Sequence, residues 1–330
     1  MSVLVTGGAG YIGSHTVLRL CDAGESVVVL DNLTTGFDWA VDPRAELVLG
    51  DVADEALTRS LIATHGVSAI IHFAGSIIVP ESVSDPLKYY RNNTAASRSL
   101  IESAVAGGVD HFIFSSTAAV YGMSGLEPVG EDAPLSPVSP YGRSKLMTEM
   151  MLADVAAAHP LTYGVLRYFN VAGADPGGRT GQSTAGATHL IKVAAEAALG
   201  KRDKVAVFGD DFPTPDGTGV RDYIHVTDLA DAHALLLTHL RDGGASTTLN
   251  CGYGRGASVR QVLDAVRRVS GVEFTVEQGP RRAGDPAAIV ARADSIRQTL
   301  GWTPAHDDLD AIIASALRWE QHLSQRNRLG

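Results

Sequence analysis

The chain has 330 residues, of which 45% are hydrophobic and 19% are charged, enough apolar material for one large core or two linked ones. Its formal net charge of −10 disfavours a general nucleic-acid-binding protein, since such proteins usually show a basic face, although a few arginines can still hold an anion locally. The two cysteines, Cys21 and Cys251, predict no disulfide framework and no Cys/His metal site.

A first strand is predicted almost at the N-terminus, and no signal-peptide pattern precedes it. No apolar run approaches the roughly 18 residues of a membrane span. We therefore expect a soluble protein of the reducing cytoplasm, with no membrane and no nucleic-acid partner.

Short β-branched runs alternate with helical patterns in the first half of the chain. Strands are predicted at 2–6, 26–30, 46–50, 68–73, 111–116 and 162–169, and helices at roughly 11–23, 54–64, 85–106 and 140–158. The strands are almost continuously apolar, which is typical of strands covered by helices on both faces. The alternation predicts an α/β fold with a doubly wound parallel Rossmann sheet in a domain of residues 1–170.

The pattern loosens in the second half, where helices at about 189–200, 227–241, 258–269 and 307–323 are separated by short strands. Two stretches rich in Gly, Ser, Thr, Asp or Pro, 174–188 and 209–222, predict surface loops of the kind that often bind ligands. We interpret residues 171–330 as a smaller α/β substrate domain, with a segment of about 227–250 returning to the first domain.

The sequence VLVTGGAGYIGSH places Gly7, Gly10 and Gly13 between a predicted strand and a predicted helix. In a dinucleotide site such glycines allow a tight turn, a close approach of the pyrophosphate and close helix–strand packing. Asp31 ends the second strand, where a carboxylate binds the adenosine ribose and repels a 2′-phosphate. The pattern predicts NAD rather than NADP.

Two later strand ends fit the same cofactor. Asp51 follows the third strand, where a carboxylate could accept from the adenine amino group. Phe73, Ala74 and Gly75 follow the fourth strand, where small residues would leave room for the cofactor. Each signal is weak alone because strands often end in Gly or Asp.

The stretch SPYGRSK predicts a helix start that carries a catalytic pair. Ser139 can cap the helix and Pro140 can occupy its first turn, which puts Tyr141 and Lys145 one turn apart on one face. A phenol with a pKa near about 10 is a poor base, and a neighbouring ammonium with the positive ring of NAD+ should lower that pKa. Thr117, at the end of the fifth strand, should lie beside Tyr141 and bridge it to a substrate hydroxyl.

With these motifs the chain resembles the extended short-chain dehydrogenases/reductases and, more narrowly, the UDP-glucose (UDP-galactose) 4-epimerases. The longest subgroup-specific match is DGTGVRDYIHVTDLADAH, whereas the glycine triplet and the Tyr–Lys spacing are shared across the superfamily. The other matching segments are VLVTGGAGYIGSH, LDNLTTG, IIHFAG, ESVSDPLKYYRNN, FSSTAAVYG, SPYGRSKLMTE, LRYFNVAGADP, RRAGDPA and LGWTP.

The resemblance implies reversible epimerisation at C4 of a UDP-hexose with tightly bound, recycled NAD. Tyr141 would remove the proton of the sugar 4-hydroxyl while NAD+ takes hydride from C4. The 4-keto sugar would then turn about its link to the pyrophosphate, and the hydride would return to the opposite face. The substrate is gripped by its nucleotide and held loosely at its sugar, so binding energy comes from the part that does not react.

The resemblance also implies site residues. It implies that Tyr141, Lys145 and Thr117 are the catalytic residues. It also implies a homodimer built on the helices at 85–106 and 140–158. The implied cofactor residues are Gly7, Gly10, Tyr11, Ile12, Gly13, Asp31, Asn32, Asp51, Val52, Phe73, Ala74, Gly75, Asn92, Tyr141, Lys145 and Tyr168. The implied UDP-sugar residues are Thr117, Tyr141, Asn170, His189, Phe208, Arg221, Arg282 and Asp285.

The chain departs from the family pattern at several positions. Ile77 stands where the family often has a lysine near the cofactor, and His189 stands where many members have asparagine. Ile289 occupies the position that gates N-acetyl sugars by size, and its intermediate size leaves activity on UDP-N-acetylglucosamine and UDP-N-acetylgalactosamine open. Ala118 and Ala119 stand where related dehydratases and decarboxylases need an acidic residue, so elimination is disfavoured.

Two further alternatives belong to other functional classes. A non-catalytic NAD-sensing regulator would commonly have lost Tyr141 or Lys145, and both are present. A simple alcohol dehydrogenase would leave the implied nucleotide-binding residues without a purpose.

Overall fold

The computed structural model describes residues 1–282 and 284–326; Ala283, within the RRAGDPA segment, lies outside them. The strands of the described residues are β1 (Ser2–Thr6), β2 (Val27–Asp31), β3 (Glu46–Leu49), β4 (Val67–His72), β5 (His111–Thr117), β6 (Thr162–Tyr168), β7 (Asn170–Ala172), β8 (Lys204–Phe208), β9 (Val220–His225), β10 (Thr247–Cys251), β11 (Gly256–Ser258), β12 (Thr275–Gly279) and β13 (Ala288–Ile289).

The helices are α1 (Tyr11–Asp22), α2 (Glu55–His65), α3 (Val79–Ser84), α4 (Pro86–Tyr89), α5 (Ala96–Ala106), α6 (Pro140–Ala158), α7 (Leu190–Ala198), α8 (Val226–Arg241), α9 (Val259–Ser270), α10 (Asp294–Leu300) and α11 (Leu309–Arg326). Among the helices of the described residues, none combines the length and the apolar character needed to cross a membrane. Within the same residues no group of three or more His, Cys, Asp or Glu side chains could hold a metal ion.

Seven strands form the main sheet in the order β10–β6–β5–β4–β1–β2–β3, and every neighbouring pair is parallel. The inner strands are buried along their length because apolar side chains such as Val3, Ile70 and Phe112 meet helices on both faces. The order reverses between β1 and β4, the place where open parallel sheets bind ligands at their carboxyl edge. The predicted doubly wound α/β fold is confirmed.

A late segment of the chain completes this sheet. Strand β10 pairs in parallel with β6, and α8, which precedes it, packs against α1 and reaches β5 and β6. The remaining strands form two small sheets, one in which β9 lies between β11 and β13 and also pairs with β7, and one of β8 and β12. The division into domains at residue 170 stays a prediction.

Two local predictions were inaccurate. The loop expected at 209–222 ends earlier, because β9 begins at Val220. The single helix expected at 85–106 is divided into α4, a π-helical turn at Tyr90–Ala95 and α5. The side chain of Asn93, inside that turn, bonds Ser76 and Ser144, which come from other parts of the chain. Single π-helical turns inside helices are frequent at functional sites.

Candidate active site

The glycine-rich loop between β1 and α1 has the conformation expected of a phosphate cradle. Gly7 has φ +71°, and a Cβ added there would lie 2.6 Å from the backbone N of Ala74. A Cβ at Gly13 would lie 2.1 Å from the carbonyl oxygen of Gly7, so the helix can pack on the loop only with glycine there. Gly10 begins α1 without a side-chain cap, and the first turn holds no acidic residue. The N–H groups of that turn, around Tyr11 and Ile12, therefore suit an anion.

The end of β2 is shaped around Asp31. Its two carboxylate oxygens accept from the backbone N–H groups of Ala9 (2.9 Å) and Leu33 (2.8 Å). Leu33 has φ +54°, an uncommon conformation for a residue with a side chain, which marks a constrained loop at the predicted ribose site. Asn32 donates to Asp51 across to the end of β3 (3.2 Å).

Other predicted cofactor residues lie at the ends of the neighbouring strands. Val52 is buried after β3. The backbone N–H groups of Phe73 and Ala74 donate to the Thr6 carbonyl, which brings the end of β4 onto the glycine loop. A Cβ at Gly75 would lie 2.9 Å from Asn93 Oδ1, and Asn92, beside it in the π-helical turn, donates to Ser76 Oγ.

Helix α6 begins as the sequence predicts. Ser139 Oγ accepts from the N–H of Gly142 at 3.1 Å, and Pro140 occupies the first position of the helix. Tyr141, in that first turn, is buried with 6% of its surface exposed, and it packs edge-on against the ring of Tyr89 at 6.4 Å between centroids. The side chain of Thr117, the last residue of β5, lies near enough to the Tyr141 phenol to lower its pKa.

Burial dominates the pKa of Tyr141 in the protein alone. It raises the pKa of the phenol well above the usual value, Tyr168 raises it further, and the Thr117 side chain opposes this rise. The predicted lowering by Lys145 together with the positive ring of NAD+ stays a prediction. Tyr168 is half-buried as the register partner of Thr117 on β6, and loss of water raises its pKa.

Lys145 lies one turn after Tyr141 and is 2% exposed. Its Nζ donates to the carbonyl oxygen of Ser115 at 2.9 Å and lies 4.7 Å from the centroid of the Phe114 ring. Burial lowers the pKa of this lysine to about 8, and the carboxylate of Glu149 opposes the lowering. The ammonium is therefore held by strand β5 at the base of the site.

A second group of predicted residues lies on the small sheets. Arg221, on β9, contacts Asp285 Oδ1 through its NH2 at 2.5 Å, and its side chain is 13% exposed. The guanidinium carbon of Arg282 lies 3.7 Å from the ring centroid of Phe208, at the end of β8. Ile289, on β13, is the register partner of Arg221, so the gate position and the predicted diphosphate residue are adjacent.

Asn170 and His189 line a pocket that also includes Gln182 and Tyr223. Asn170 begins β7 two residues after β6 ends, so it follows directly from the catalytic edge of the main sheet. His189 precedes α7 without capping it through its side chain; its Nδ1 lies 2.8 Å from Gln182 Nε2, and burial lowers its pKa. The family departure at Ile77 lies on the surface, with 51% exposure.

The structure thus brings the predicted residues into two groups, one at the carboxyl edge of the main sheet and one on the small sheets. Sequence reasoning missed three residues. Ser115 accepts a hydrogen bond from Lys145, Asn93 ties the π-helical turn to Ser144, and Glu149 forms an ion pair with Arg167. A signal for Glu149 was available, because it follows Tyr141 and Lys145 at the same spacing of four residues.

Comparison with known proteins adds three kinds of likeness. A family model described as "NAD dependent epimerase/dehydratase family" matches residues 3–252. A UDP-glucose 4-epimerase of Azospirillum brasilense is 57% identical over 323 residues, covering 98% of this chain and 93% of that protein. The structure of a UDP-glucose 4-epimerase from Brucella ovis in complex with NAD is 45% identical, with a TM-score of 0.93 over 96% of this chain and 97% of that one. The UDP-Glc/GlcNAc 4-epimerase of Campylobacter jejuni is 47% identical, with a TM-score of 0.85 over 97% and 99% of the two chains.

Proposed function

The chain belongs to the NAD dependent epimerase/dehydratase family, and we propose that it catalyses reversible epimerisation at C4 of a UDP-hexose, interconverting UDP-glucose and UDP-galactose. The cofactor is NAD. Full-length similarity to proteins named UDP-glucose 4-epimerase supports this activity, and the complex of the Brucella ovis relative supports the cofactor.

The residues that would hold NAD fit its chemistry. The uncapped first turn of α1 after Gly10 would take the pyrophosphate, and Asp31 would take the adenosine ribose. When bound, NAD+ supplies a hydride acceptor that returns the hydride, and it adds a positive charge near the phenol. That charge is what the protein lacks on its own, since burial keeps the pKa of Tyr141 high.

One observation carries the assignment: Tyr141 and Lys145 lie buried one turn apart at the carboxyl end of β5, and the two residues after Thr117 are Ala118 and Ala119. In this proposal Tyr141 accepts the proton of the sugar 4-hydroxyl through Thr117 and holds it while the sugar is a 4-ketone. Lys145 stays on the Ser115 carbonyl as the cation that favours the phenolate. Elimination of a second group would need an acid or base at this position, which the two alanines do not provide, so the proton is returned.

The nucleotide is bound by a separate group in this proposal. Arg221 and Arg282 take the diphosphate, since guanidinium groups pair with phosphate oxygens in a bidentate manner. Asp285 takes the uridine ribose, Phe208 lies by the uracil, and Asn170 and His189 complete the grip. Arg221 is paired with Asp285, and Arg282 covers the Phe208 ring, so the residues assigned to the diphosphate, the ribose and the uracil contact one another.

The experiment that tests the function is incubation of the purified protein with UDP-galactose, with the products followed by NMR. We expect UDP-glucose to form until the two sugars reach equilibrium, without net consumption of NAD. If bound NAD is present and no interconversion occurs, the catalytic proposal fails and the non-catalytic NAD-sensing alternative takes its place.

A second candidate substrate class is the N-acetylated UDP-hexoses. Ile289 supports it, because this side chain at the gate position is smaller than an aromatic ring and lies beside Arg221. The relative from Campylobacter jejuni, which is named a UDP-Glc/GlcNAc 4-epimerase, supports it too. A parallel incubation with UDP-N-acetylgalactosamine decides the point, and absence of UDP-N-acetylglucosamine among the products rules this class out.

We also propose a homodimer and a location in the reducing cytoplasm. Leu87 on α4 is 74% exposed, and Met147 and Met150 on α6 are 40% and 59% exposed, so the neighbouring helices α4 and α6 present apolar side chains to water. Burying such a surface against a second copy is favourable. Light scattering should give twice the chain mass for the wild type, and Leu87→Asp should give monomer while the exposed Val272→Asp leaves the dimer intact. A monomeric wild type contradicts the proposal.

Two free, buried cysteines are compatible with the reducing location.

A further inference from the structure

The last three residues of β5 each contact one residue on a single face of α6. Lys145 Nζ donates to the carbonyl oxygen of Ser115, and the Thr117 side chain lies near the Tyr141 phenol, whose pKa it lowers. Between them, Ser116 Oγ donates to Glu149 Oε1. Two of these three contacts serve the proposed reaction, whereas the middle one has no role in it.

Glu149 forms a buried ion pair with Arg167 of β6. Their side chains are 7% and 6% exposed. Arg167 Nε lies 3.1 Å and 3.2 Å from the two carboxylate oxygens, and its NH2 lies 2.6 Å from Oε2. Two charges buried this deeply are tolerated because they are paired and fully hydrogen-bonded.

The arginine is also held from its other side. Its NH1 donates to the hydroxyl of Tyr121 at 3.1 Å, and that hydroxyl donates to Asn250 Oδ1 at 2.7 Å. Asn250 Nδ2 in turn donates to the Val129 carbonyl at 2.8 Å. This chain of bonds connects β6, the segment after β5 and β10, so the carboxylate of Glu149 is held in one place.

We propose that Glu149, fixed by Ser116 and Arg167, is a positioning residue that sets the register of α6 on β5 and places an Arg167-paired negative charge one turn after Lys145. The inference rests on the proposed function, since it assigns Lys145 and Tyr141 their roles in that reaction. Glu149 acts through these two residues and does not itself contact the substrate.

Electrostatics support the geometry. Burial lowers the pKa of Lys145 to about 8, and the negative charge of Glu149 raises it. If that charge is removed, Arg167 is left as an uncompensated cation, which disfavours a second cation nearby. The titratable or charged groups that act on this lysine are Glu149 on α6 and His72 on β4. Tyr168 and Tyr89 lie against Tyr141, and Arg167 pairs with Glu149. His72 is uncharged near neutrality because burial lowers its pKa to about 3.

The test is the pH profile of kcat for UDP-galactose epimerisation by the protein purified with its bound cofactor. The acid limb of this profile reports deprotonation of Tyr141, and the alkaline limb reports deprotonation of Lys145. Glu149→Gln makes the site more positive, so both limbs should move to lower pH by roughly one unit. Arg167→Gln makes it more negative, so both limbs should move to higher pH. The double variant should return towards the wild-type profile.

A matched control is Glu320→Gln, which removes the carboxylate of another buried ion-pair group, in which Glu320 (5% exposed) pairs with Lys192 (7% exposed) and with Lys201. It should reduce stability about as much as Glu149→Gln but leave both limbs where they are in the wild type. Unmoved limbs in Glu149→Gln, or limbs that move in the same direction in both single variants, would overturn the proposal.

A milder variant and a direct readout guard against poor folding. Ser116→Ala keeps both charges, so it should lower kcat roughly three- to ten-fold through lost positioning without moving either limb.

Ultraviolet titration of tyrosinate, with Tyr141→Phe as the reference, should show the phenol ionising at lower pH in Glu149→Gln than in the wild type. This readout needs no turnover, so an inactive wild type would refute the proposed function while the titration still decides the role of Glu149. Equal titration curves would count against it.

Discussion

The two groups of site residues differ in how their side chains are satisfied. At the edge of the main sheet, Tyr141 and Lys145 are buried, and their partners come from β5, which is itself interior. On the small sheets, Arg221 and Asp285 are bonded chiefly to each other, and Arg282 lies on Phe208, so these charged groups are partnered by other members of the same site.

This difference suits the two tasks of the proposed reaction. A base must meet the sugar hydroxyl at a fixed distance, which buried partners such as Ser115 and Thr117 provide. A nucleotide-binding group must bind and release its ligand. Arginines that are paired within the site can exchange those ion pairs for ion pairs with the diphosphate, so few charges are left unpaired. Changes at the first group should therefore act on kcat, and changes at the second on substrate affinity.

The largest effect should follow from Tyr141→Phe, which removes the hydroxyl and keeps the ring. We expect kcat to fall by about 10³-fold, within the range of general acid–base catalysis, with the Kd for UDP changed less than about two-fold. Kinetics by NMR and calorimetry with UDP measure the two quantities. Tyr163→Phe, in a half-buried position on β6, is the control and should be active. Near-normal activity of Tyr141→Phe would remove the distinction between the two groups.

Arg221→Met should separate the second group from the first. Loss of the guanidinium removes charged hydrogen bonds to the diphosphate, and we expect the Kd for UDP and the KM to rise about 30-fold, or ~2 kcal/mol. Because the sugar end is untouched, kcat should stay within about three-fold of the wild type. Arg255→Met, at an exposed arginine paired with Asp307, should leave KM unchanged. A large fall in kcat with unchanged KM would contradict this division.

The main sheet was readable from the sequence because continuous apolar runs mark its strands, and β1 to β6 lie within one residue of the predicted bounds. The π-helical turn was not readable, because it depends on bonds between Asn93 and residues distant in the chain, Ser76 and Ser144. Propensity and periodicity carry no information about such contacts.

The site was readable in part, for a related reason. The spacing of Tyr141 and Lys145 predicts that they share one helix face. The partner of Lys145 is the backbone carbonyl of Ser115, and a backbone contact cannot be predicted from the residue type. The sequence gives the neighbouring charge of Lys145 but not the degree of burial, which raises the pKa of the Tyr141 phenol in the protein alone. Glu149 was overlooked because helix spacing alone does not reveal a buried partner such as Arg167.

Ile289→Ala tests how closely the second group controls sugar choice. Shortening a side chain that is 8% exposed and adjacent to Arg221 should make room for an acetamido group. We expect the ratio of activities on UDP-N-acetylgalactosamine and UDP-galactose to rise about ten-fold. Ile289→Val, which removes one methyl group, should raise the ratio less. An unchanged ratio in both variants would mean that this position does not line the sugar site.

The smallest effect concerns the interior behind the first group. His72 lies between Thr6 Oγ1 (2.6 Å) and Ser97 Oγ (2.8 Å), and burial lowers its pKa from 6.5 to about 3. Because the folded protein holds this imidazole neutral, its contribution is complete above the unfolded pKa of 6.5. Below that value the unfolded chain binds a proton that the folded chain does not, so stability falls as the pH drops towards 3.

The fall attributable to His72 should approach about 1.4 kcal/mol per pH unit between pH ~6 and ~4, with His15, His225 and His233 adding to it since burial lowers their pKa values too. In urea unfolding at pH ~6 and ~5, His72→Gln should lose less stability on acidification than the wild type by about 1 kcal/mol. His159→Gln, at an exposed position after α6, should behave like the wild type. Equal losses in His72→Gln and the wild type would mean that His72 is not held neutral, and that the interior behind the base is wetter than its burial indicates.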